Sequence, residues 1–236
     1  MDDRFLGGRV LVRQLSEGFR SGLDAVMLAA AVPARAGDNV LELGAGAGVA
    51  SLCLAARVDL CRITAVEIDA ELAGLIRQNA QSNRAAVEAV CADVFDLPSE
   101  LKREFAHVFC NPPFHEGEAS PDAARDRALR DTGRLADWME TGVRRTVSGG
   151  TFTTIIRADR LGEALAALPA TGIAVFPLWP RAGEQAKRVI VQATKGARAP
   201  LALLGGLVLH EADGRYTREA DAVLRDGAAL PPARRA

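Results

Sequence analysis

Residues 111–114, Asn-Pro-Pro-Phe, combine an amide, two rigid rings and an aromatic side chain at the end of an apolar run. Neither proline has an N–H group, so the hydrogen bonding of a strand stops here. The Asn111 side-chain oxygen and the Pro112 carbonyl can both accept from one exocyclic amino group, which leaves the nitrogen lone pair facing a methyl donor. Phe114 offers a ring on which a flat base can stack. The other interpretation is a plain turn.

A glycine-rich motif, ELGAGAGV, begins at Glu42. Gly44, Gly46 and Gly48 remove side chains where the backbone turns and can approach a ligand. The predicted helix that follows offers free N–H groups at the sheet edge where α/β folds bind ligands. The dinucleotide fingerprint requires a third glycine at position 49, where this chain has valine, so a nicotinamide cofactor is disfavoured.

Acidic residues follow the next two predicted strands. Glu67 ends the second strand, at the distance from the glycines where a carboxylate binds the two hydroxyls of a ribose. Asp93 follows the third strand and could accept from an adenine amino group, with Asp96 as a weaker candidate. Asp69 fits better as the N-cap of the next helix.

These motifs together predict a pocket for an adenosine with a substituent other than a phosphate. The glycine motif contains no lysine or arginine to neutralise a pyrophosphate, and Glu42, Glu67 and Asp93 suit a cationic, amino-bearing ligand. S-adenosylmethionine has these properties, so the sequence predicts it as the cofactor.

Strand and helix signals alternate along most of the chain, which predicts an α/β fold with a mostly parallel sheet and helices on both faces. Seven strands are predicted, at 39–44, 61–68, 85–92, 105–111, 150–158, 172–178 and 187–195. Helices are predicted at 22–33, 48–58, 70–83, 134–148 and 159–168. The link between the last two strands is too short for a parallel crossover, so the last strand should be antiparallel.

Composition excludes some classes of protein. The 236 residues carry a net charge of −1, which argues against a strongly basic nucleic-acid binder but allows a local basic patch. The first residues lack the apolar core of a signal peptide, and the longest apolar run, 25–32, is too short to span a bilayer. We expect a cytoplasmic protein without a metal site, in which four cysteines are reduced core residues: Cys53, Cys61, Cys91 and Cys110.

The motifs, in this order and spacing, resemble those of class I S-adenosylmethionine-dependent methyltransferases, and the tetrad resembles that of their amino-methylating branch. Residues 18–32, and the runs IIRADRL and AKRVIVQATKG, resemble the tRNA(Val) adenine N(6)-methyltransferase family. The resemblance implies one Rossmann-like domain over residues 1–236, with a cofactor-capping segment (1–36), a core (37–198) and a C-terminal extension (199–236).

The same resemblance implies the roles of several residues. Phe19, Arg20, Gly22 and Asp24 would lie near the methionine end of the cofactor, and Asn111 would contact both cofactor and acceptor. Helix capping is the alternative role of Asp24.

Adenine N(6) in RNA, with tRNA as the first candidate, is the acceptor that the resemblance implies. The substrate-facing candidates are His115, Arg188 and Lys195, although each could equally be a solvated surface residue. Similar tetrads in ribosomal-RNA guanine N(2)-methyltransferases and in glutamine methyltransferases of release factors leave those acceptors open. A cofactor-binding module without catalysis is the remaining alternative.

Overall fold

The computed structural model describes residues 2–16, 20–113, 135–168 and 172–230. The chain begins with the antiparallel hairpin β1 (Asp2–Phe5) and β2 (Val10–Arg13), followed by α1 (Leu23–Ala31). Strands and helices then alternate: β3 (Asn39–Leu43), α2 (Val49–Arg57), β4 (Arg62–Glu67), α3 (Ala70–Asn83), β5 (Val87–Cys91), β6 (Phe105–Cys110), α4 (Leu135–Arg144), β7 (Thr146–Arg157), α5 (Leu161–Ala167), β8 (Ile173–Arg181) and β9 (Arg188–Thr194). The tail adds β10 (Ala202–Leu203), β11 (Leu207–His210) and α6 (Arg218–Asp226).

The main sheet has the order β5-β4-β3-β6-β7-β9-β8, and β10 and β11 both pair with β8. All of its described strands run parallel except β9, which is antiparallel to both β7 and β8. The seven predicted strands and the reversed last strand are therefore confirmed. The C-terminal extension (199–236) also adds two short strands to this sheet, β10 and β11.

The predicted helix at 134–148 was wrong at its C-terminal end. Helix α4 ends at Arg144, and β7 begins two residues later at Thr146. Thr146 and Val147 are β-branched and fit a strand better than a helix end. The Thr146 hydroxyl donates to the Gly142 carbonyl (2.8 Å), which ties the first residue of the strand to the last turn of the helix.

Helices cover both faces of the sheet, as predicted. Alternate residues of one strand enter different cores: Val40 packs with α1, α2 and α6, whereas its neighbour Leu41 packs with α4 and α5. The core on the first face also contains Leu6 and Val223, which belong to the N-terminal and C-terminal segments. The division of residues 1–236 into one domain with two appended segments stays a prediction.

Three of the four cysteines are buried, but Cys91 at the end of β5 is exposed, so its assignment to the core was wrong. Strand β5 is the outermost strand on its side of the sheet, and this accounts for the exposure. In the described parts of the chain, no helix combines the length and apolar character needed to cross a membrane.

Two glycines inside helices differ in the space around them. This difference predicts that replacing each by alanine will have opposite effects on the stability of the protein. A Cβ on Gly142 in α4 would overlap the ring of Phe152, whereas a Cβ on Gly74 in α3 would meet nothing within 4 Å. Gly142→Ala should therefore destabilise the protein by about 1–3 kcal/mol through overpacking. Gly74→Ala should be neutral or stabilise by up to about 1 kcal/mol, because alanine is the better helix former.

Urea unfolding of the two variants beside the wild-type protein measures both effects. Equal midpoints for Gly142→Ala and Gly74→Ala would contradict the packing of α4 against β7.

Candidate active site at the carboxyl edge of the sheet

Strand register brings the predicted motifs together. Leu43 at the end of β3 lies opposite Val66 of β4 on one side and Cys110 of β6 on the other, and Glu67 lies opposite Cys91 of β5. The segments that follow these four parallel strands therefore leave the sheet at one edge. They contain the glycine motif, the end of β4, the Asp93 loop and Asn111.

The glycine loop, residues 44–48, is a tight turn that requires glycine. Gly44, Gly46 and Gly48 have φ values of 68°, 57° and 85°, a region that other residues rarely adopt. A Cβ on Gly44 would lie 2.7 Å from the Trp138 ring of α4, so this position also lacks space. The N–H groups of Gly44 and Ala45 donate to the Val66 carbonyl at 2.9 and 3.0 Å.

Glu67 holds the loop from the side of β4. One of its carboxylate oxygens accepts the N–H of Gly46 at 2.7 Å, and the other accepts the N–H of Asp69 at 3.1 Å. Burial raises the pKa of Glu67, and these backbone hydrogen bonds oppose the rise. A carboxylate has about four acceptor positions, and the backbone of Gly46, Ile68 and Asp69 uses up to three of them, so at least one remains for a further donor. Its predicted contact with a ribose stays a prediction.

The loop after β5 forms the next part of the edge. Asp93 is half-buried, and one of its side-chain oxygens accepts the N–H of Phe95 at 2.8 Å. The Phe95 ring contacts Trp138 edge to face, with centroids 5.5 Å apart. Asp69 caps α3 by accepting the N–H groups of Glu71 and Leu72, as predicted. Asp93 thus lies beside an aromatic pair close to the glycine loop.

Glu42 is buried beneath the glycine loop, with only 2% of its surface exposed. The same carboxylate oxygen accepts both the N–H (3.1 Å) and the hydroxyl of Ser51 in the first turn of α2. Burial raises the pKa of Glu42 to about 8, and the charge of Glu67 adds to the rise. Burial therefore favours the protonated form of Glu42 in the folded chain.

Asn111 directly follows β6, beside the glycine loop. Its side-chain oxygen is buried and accepts no hydrogen bond from the residues that the structure describes. Pro112 is buried after it. The other predicted residues of this region, Phe114 and His115, lie outside the described ranges, as does Phe19 near the N-terminus.

The segment before α1 lies over the glycine loop and is held there by the N-terminal hairpin. Arg20 pairs with Asp3 of β1 at 2.5 and 2.6 Å. The side chain of Gln14 donates to Asp3 and to the Ser21 carbonyl, and accepts the N–H of Ser21. The Ser21 hydroxyl oxygen would be 3.9 Å from a Cβ on Gly46. Arg20 thus contacts β1, and its predicted place near the methionine end of the cofactor stays a prediction.

Asp24 and Arg188, predicted separately, contact each other. Gly22 precedes α1, and Asp24 in the first turn accepts from the Arg188 guanidinium at 2.8 Å. Arg188 begins the antiparallel β9 opposite Arg157, the last residue of β7, and so lies at the carboxyl edge. Asp24 is not the N-cap of α1, because Gly22 occupies that position and Asp24 lies inside the first turn.

Lys195 lies at the opposite edge of the sheet. It follows the C-terminal end of β9, where Thr194 is opposite Thr151 near the start of the parallel region of β7. Its ammonium donates to Glu104 (2.7 Å) and to the Thr146 carbonyl (2.7 Å). The reversed direction of β9 separates Lys195 from Arg188, so we leave Lys195 out of the proposed site.

Several residues that position the site were not predicted from the sequence. Ser51, Trp138 and Asn79 contact Glu42, Gly44 and the glycine loop respectively. Ser51 could have been found, because it lies in the first turn of the helix that follows the loop. The contacts of Trp138 and Asn79 depend on packing between distant segments.

Comparison with known proteins agrees with this geometry. The sequence model of the methyltransferase small domain family matches residues 21–137. A crystal structure of a predicted O-methyltransferase from Agrobacterium tumefaciens is 31% identical, with a TM-score of 0.73, and the match covers 88% of this chain and 98% of that one. A 16S rRNA N2 G1207 methyltransferase from T. thermophilus, solved with AdoMet and guanosine, shares the fold at 21% identity and a TM-score of 0.57, over 83% of this chain and 50% of that one.

Among curated proteins, a tRNA1(Val) (adenine(37)-N6)-methyltransferase of Aeromonas hydrophila is 29% identical over 83% of this chain and 84% of its own length. The fold and the glycine loop define a Rossmann-like, S-adenosylmethionine-dependent methyltransferase. More particularly, the chain belongs to the methyltransferase small domain family. It is an enzyme, and its cofactor is S-adenosylmethionine.

The raised pKa of Glu42 predicts a specific loss of stability with pH. The unfolded chain ionises Glu42 above about pH 4.5, whereas the folded chain keeps it protonated until about pH 8. Its contribution to stability is therefore complete below pH 4.5 and falls as the pH rises toward 8, by at most about 1.4 kcal/mol per pH unit. Glu42→Gln, which is neutral and of similar shape, should remove this part of the pH dependence.

Urea unfolding of both proteins at several pH values between about 5 and 8 measures the difference. Parallel pH profiles for the wild-type protein and Glu42→Gln would show that Glu42 titrates normally.

Proposed function

We propose that this enzyme transfers a methyl group to N(6) of an adenine in RNA, with tRNA as the substrate class. The observation that carries the proposal is the position of Asn111 beside the glycine loop, with a buried side-chain oxygen that no described residue uses. An unpaired buried acceptor costs about 1–3 kcal/mol, so it favours a ligand that donates a hydrogen bond. The exocyclic amino group of adenine is such a donor.

The residues around the loop fit the cofactor. Bound S-adenosylmethionine supplies a methyl group on a positively charged sulfur. The small residues of the glycine loop allow close approach of a ligand, and the side-chain oxygens of Glu67 and Asp93 can accept hydrogen bonds from its hydroxyl and amino groups. We assign the ribose hydroxyls to Glu67, the adenine amino group to Asp93, and the methionine end to the segment from Arg20 to Asp24.

The acceptor side of the site needs alignment rather than a strong base. The lone pair of an aromatic amine is delocalised into its ring and is poorly nucleophilic. Asn111 and the Pro112 carbonyl, as two acceptors on one NH₂ group, would draw the nitrogen toward tetrahedral geometry and direct its lone pair toward the methyl group. The proline after Asn111 restricts the backbone that carries this amide.

The relatives support nitrogen and RNA as acceptor. The Aeromonas hydrophila protein and a Shewanella baltica protein, 26% identical over 89% of this chain, are both named as tRNA adenine N(6)-methyltransferases. The Agrobacterium tumefaciens protein is named a predicted O-methyltransferase. Transfer to oxygen usually needs a base to remove the hydroxyl proton, whereas this tetrad offers acceptors suited to an amino group. A tRNA substrate would place the enzyme in the cytoplasm.

Methyl transfer from labelled S-adenosylmethionine to unmodified total tRNA tests the proposal, with the labelled nucleoside identified after digestion. We expect N(6)-methyladenosine. Asn111→Ala should lower the turnover roughly 100-fold or more, as removal of a transition-state hydrogen-bonding group does elsewhere. Asn111→Asp keeps acceptor oxygens and should retain more activity than the alanine variant.

Ribosomal RNA and total protein, incubated in parallel, serve as controls for the acceptor. Label in guanine, in protein glutamine or in a hydroxyl group, and none in adenine, would mean that the proposed acceptor is wrong. Tight cofactor binding without transfer to any of these fractions would overturn the catalytic proposal as a whole.

A further inference from the structure

Two asparagines of α3 bind the exposed edge of the N-terminal hairpin as a neighbouring strand would. Asn79 accepts the N–H of Arg13 at 2.9 Å and donates to the Arg13 carbonyl at 3.0 Å. One helical turn later, Asn83 accepts the N–H of Leu11 at 2.9 Å and donates to the Leu11 carbonyl at 2.6 Å. Each side-chain amide thus satisfies both backbone groups of one residue of β2.

The spacing of the two elements makes this arrangement possible. Four residues of a helix rise about 6 Å, and two residues of a strand rise about 6.8 Å. Residues two apart in a strand direct their backbone groups to the same side. Asn79 and Asn83 therefore match Arg13 and Leu11, and the edge of β2 is fixed to α3.

Only Asn79 of this pair also contacts the glycine loop. Its side-chain NH₂ group donates a second hydrogen bond, to the Ala47 carbonyl, at 3.0 Å. The corresponding second hydrogen bond of Asn83 goes to the Asn79 carbonyl within α3. Asn79 is 3% exposed, so water does not substitute freely for these bonds. Ala47 lies between Gly46 and Gly48, in the part of the loop that the segment before α1 covers.

We propose that Asn79 is a positioning residue for the cofactor pocket, because its side-chain amide bonds both to the glycine loop and to the N-terminal hairpin. The hairpin in turn holds the segment before α1 over the glycine loop. The proposal rests on the proposed placement of S-adenosylmethionine at this loop. Asn79 binds the glycine loop through the Ala47 carbonyl and binds β2 through Arg13. The hairpin in turn holds Ser21 over Gly46 through Asp3 and Gln14. The distance between the glycine loop and the segment before α1 therefore depends on Asn79.

Asn83→Ala provides the matched control. It removes the same type of contact with β2 but leaves the Ala47 carbonyl bonded. We expect Asn79→Ala to weaken binding of S-adenosylmethionine about tenfold, the size of one lost buried hydrogen bond, and Asn83→Ala to weaken it less than about threefold. Titration calorimetry measures the Kd of each variant without any methyl acceptor, and thermal unfolding shows whether both remain folded.

A second variant covers the case in which Asn79→Ala does not fold. Asn79→Asp keeps the acceptor for the Arg13 N–H but cannot donate to Ala47, so it should weaken binding at least as much as the alanine variant. Equal Kd changes in the Asn79 and Asn83 variants would mean that the hairpin alone matters, and unchanged Kd in the Asn79 variants would mean that neither contact matters. Either result overturns the proposal.

Gly46→Val distinguishes a wrong role of Asn79 from a wrong placement of the cofactor. A β-branched residue is strained at the φ of Gly46, and its side chain would point toward Ser21. If Gly46→Val leaves the affinity unchanged, the cofactor does not bind at this loop. If Gly46→Val abolishes binding and Asn79→Ala does not affect it, the placement stands and the role of Asn79 is wrong.

Discussion

The carboxylate of Glu67 is the interaction on which the rest of the site depends. It accepts the N–H of Gly46 from the glycine loop and that of Asp69 from the turn into α3, so one side chain fixes two neighbouring βα connections. The Val66 carbonyl adds two further bonds to the start of the loop. The adjacent positions of β3, β4 and β6 then determine how far this loop lies from Asn111.

The site contains two buried acids, and this arrangement is costly to the free protein. Burial raises the pKa of both Glu42 and Glu67, and the charge of Glu67 raises the pKa of Glu42 further. Natural proteins keep such groups where they serve a function, since burying a charge without a partner is unfavourable. A positively charged ligand bound nearby would favour the ionised form of these carboxyls. The same electrostatic feature thus destabilises the chain and favours the ligand.

Elements that follow from local pattern could be predicted from the sequence, and contacts between distant segments could not. The glycines at 44, 46 and 48 form the turn that was predicted for them, and the reversed β9 followed from a short link. That reversal also places Lys195 at the edge opposite to Arg188, because the direction of a strand decides which of its ends lies at the carboxyl edge. The pairing of Asn79 with Arg13, 66 residues away, depends on tertiary geometry with no local signal.

A crystal structure with S-adenosylhomocysteine bound tests the central claim most directly, because it locates the cofactor relative to Glu67 and Asn111. We expect the ribose hydroxyls within hydrogen-bonding distance of Glu67, the amino acid end beneath Ser21, and the sulfur atom facing Asn111. A ligand bound elsewhere, or bound with its sulfur atom directed away from Asn111, would contradict it.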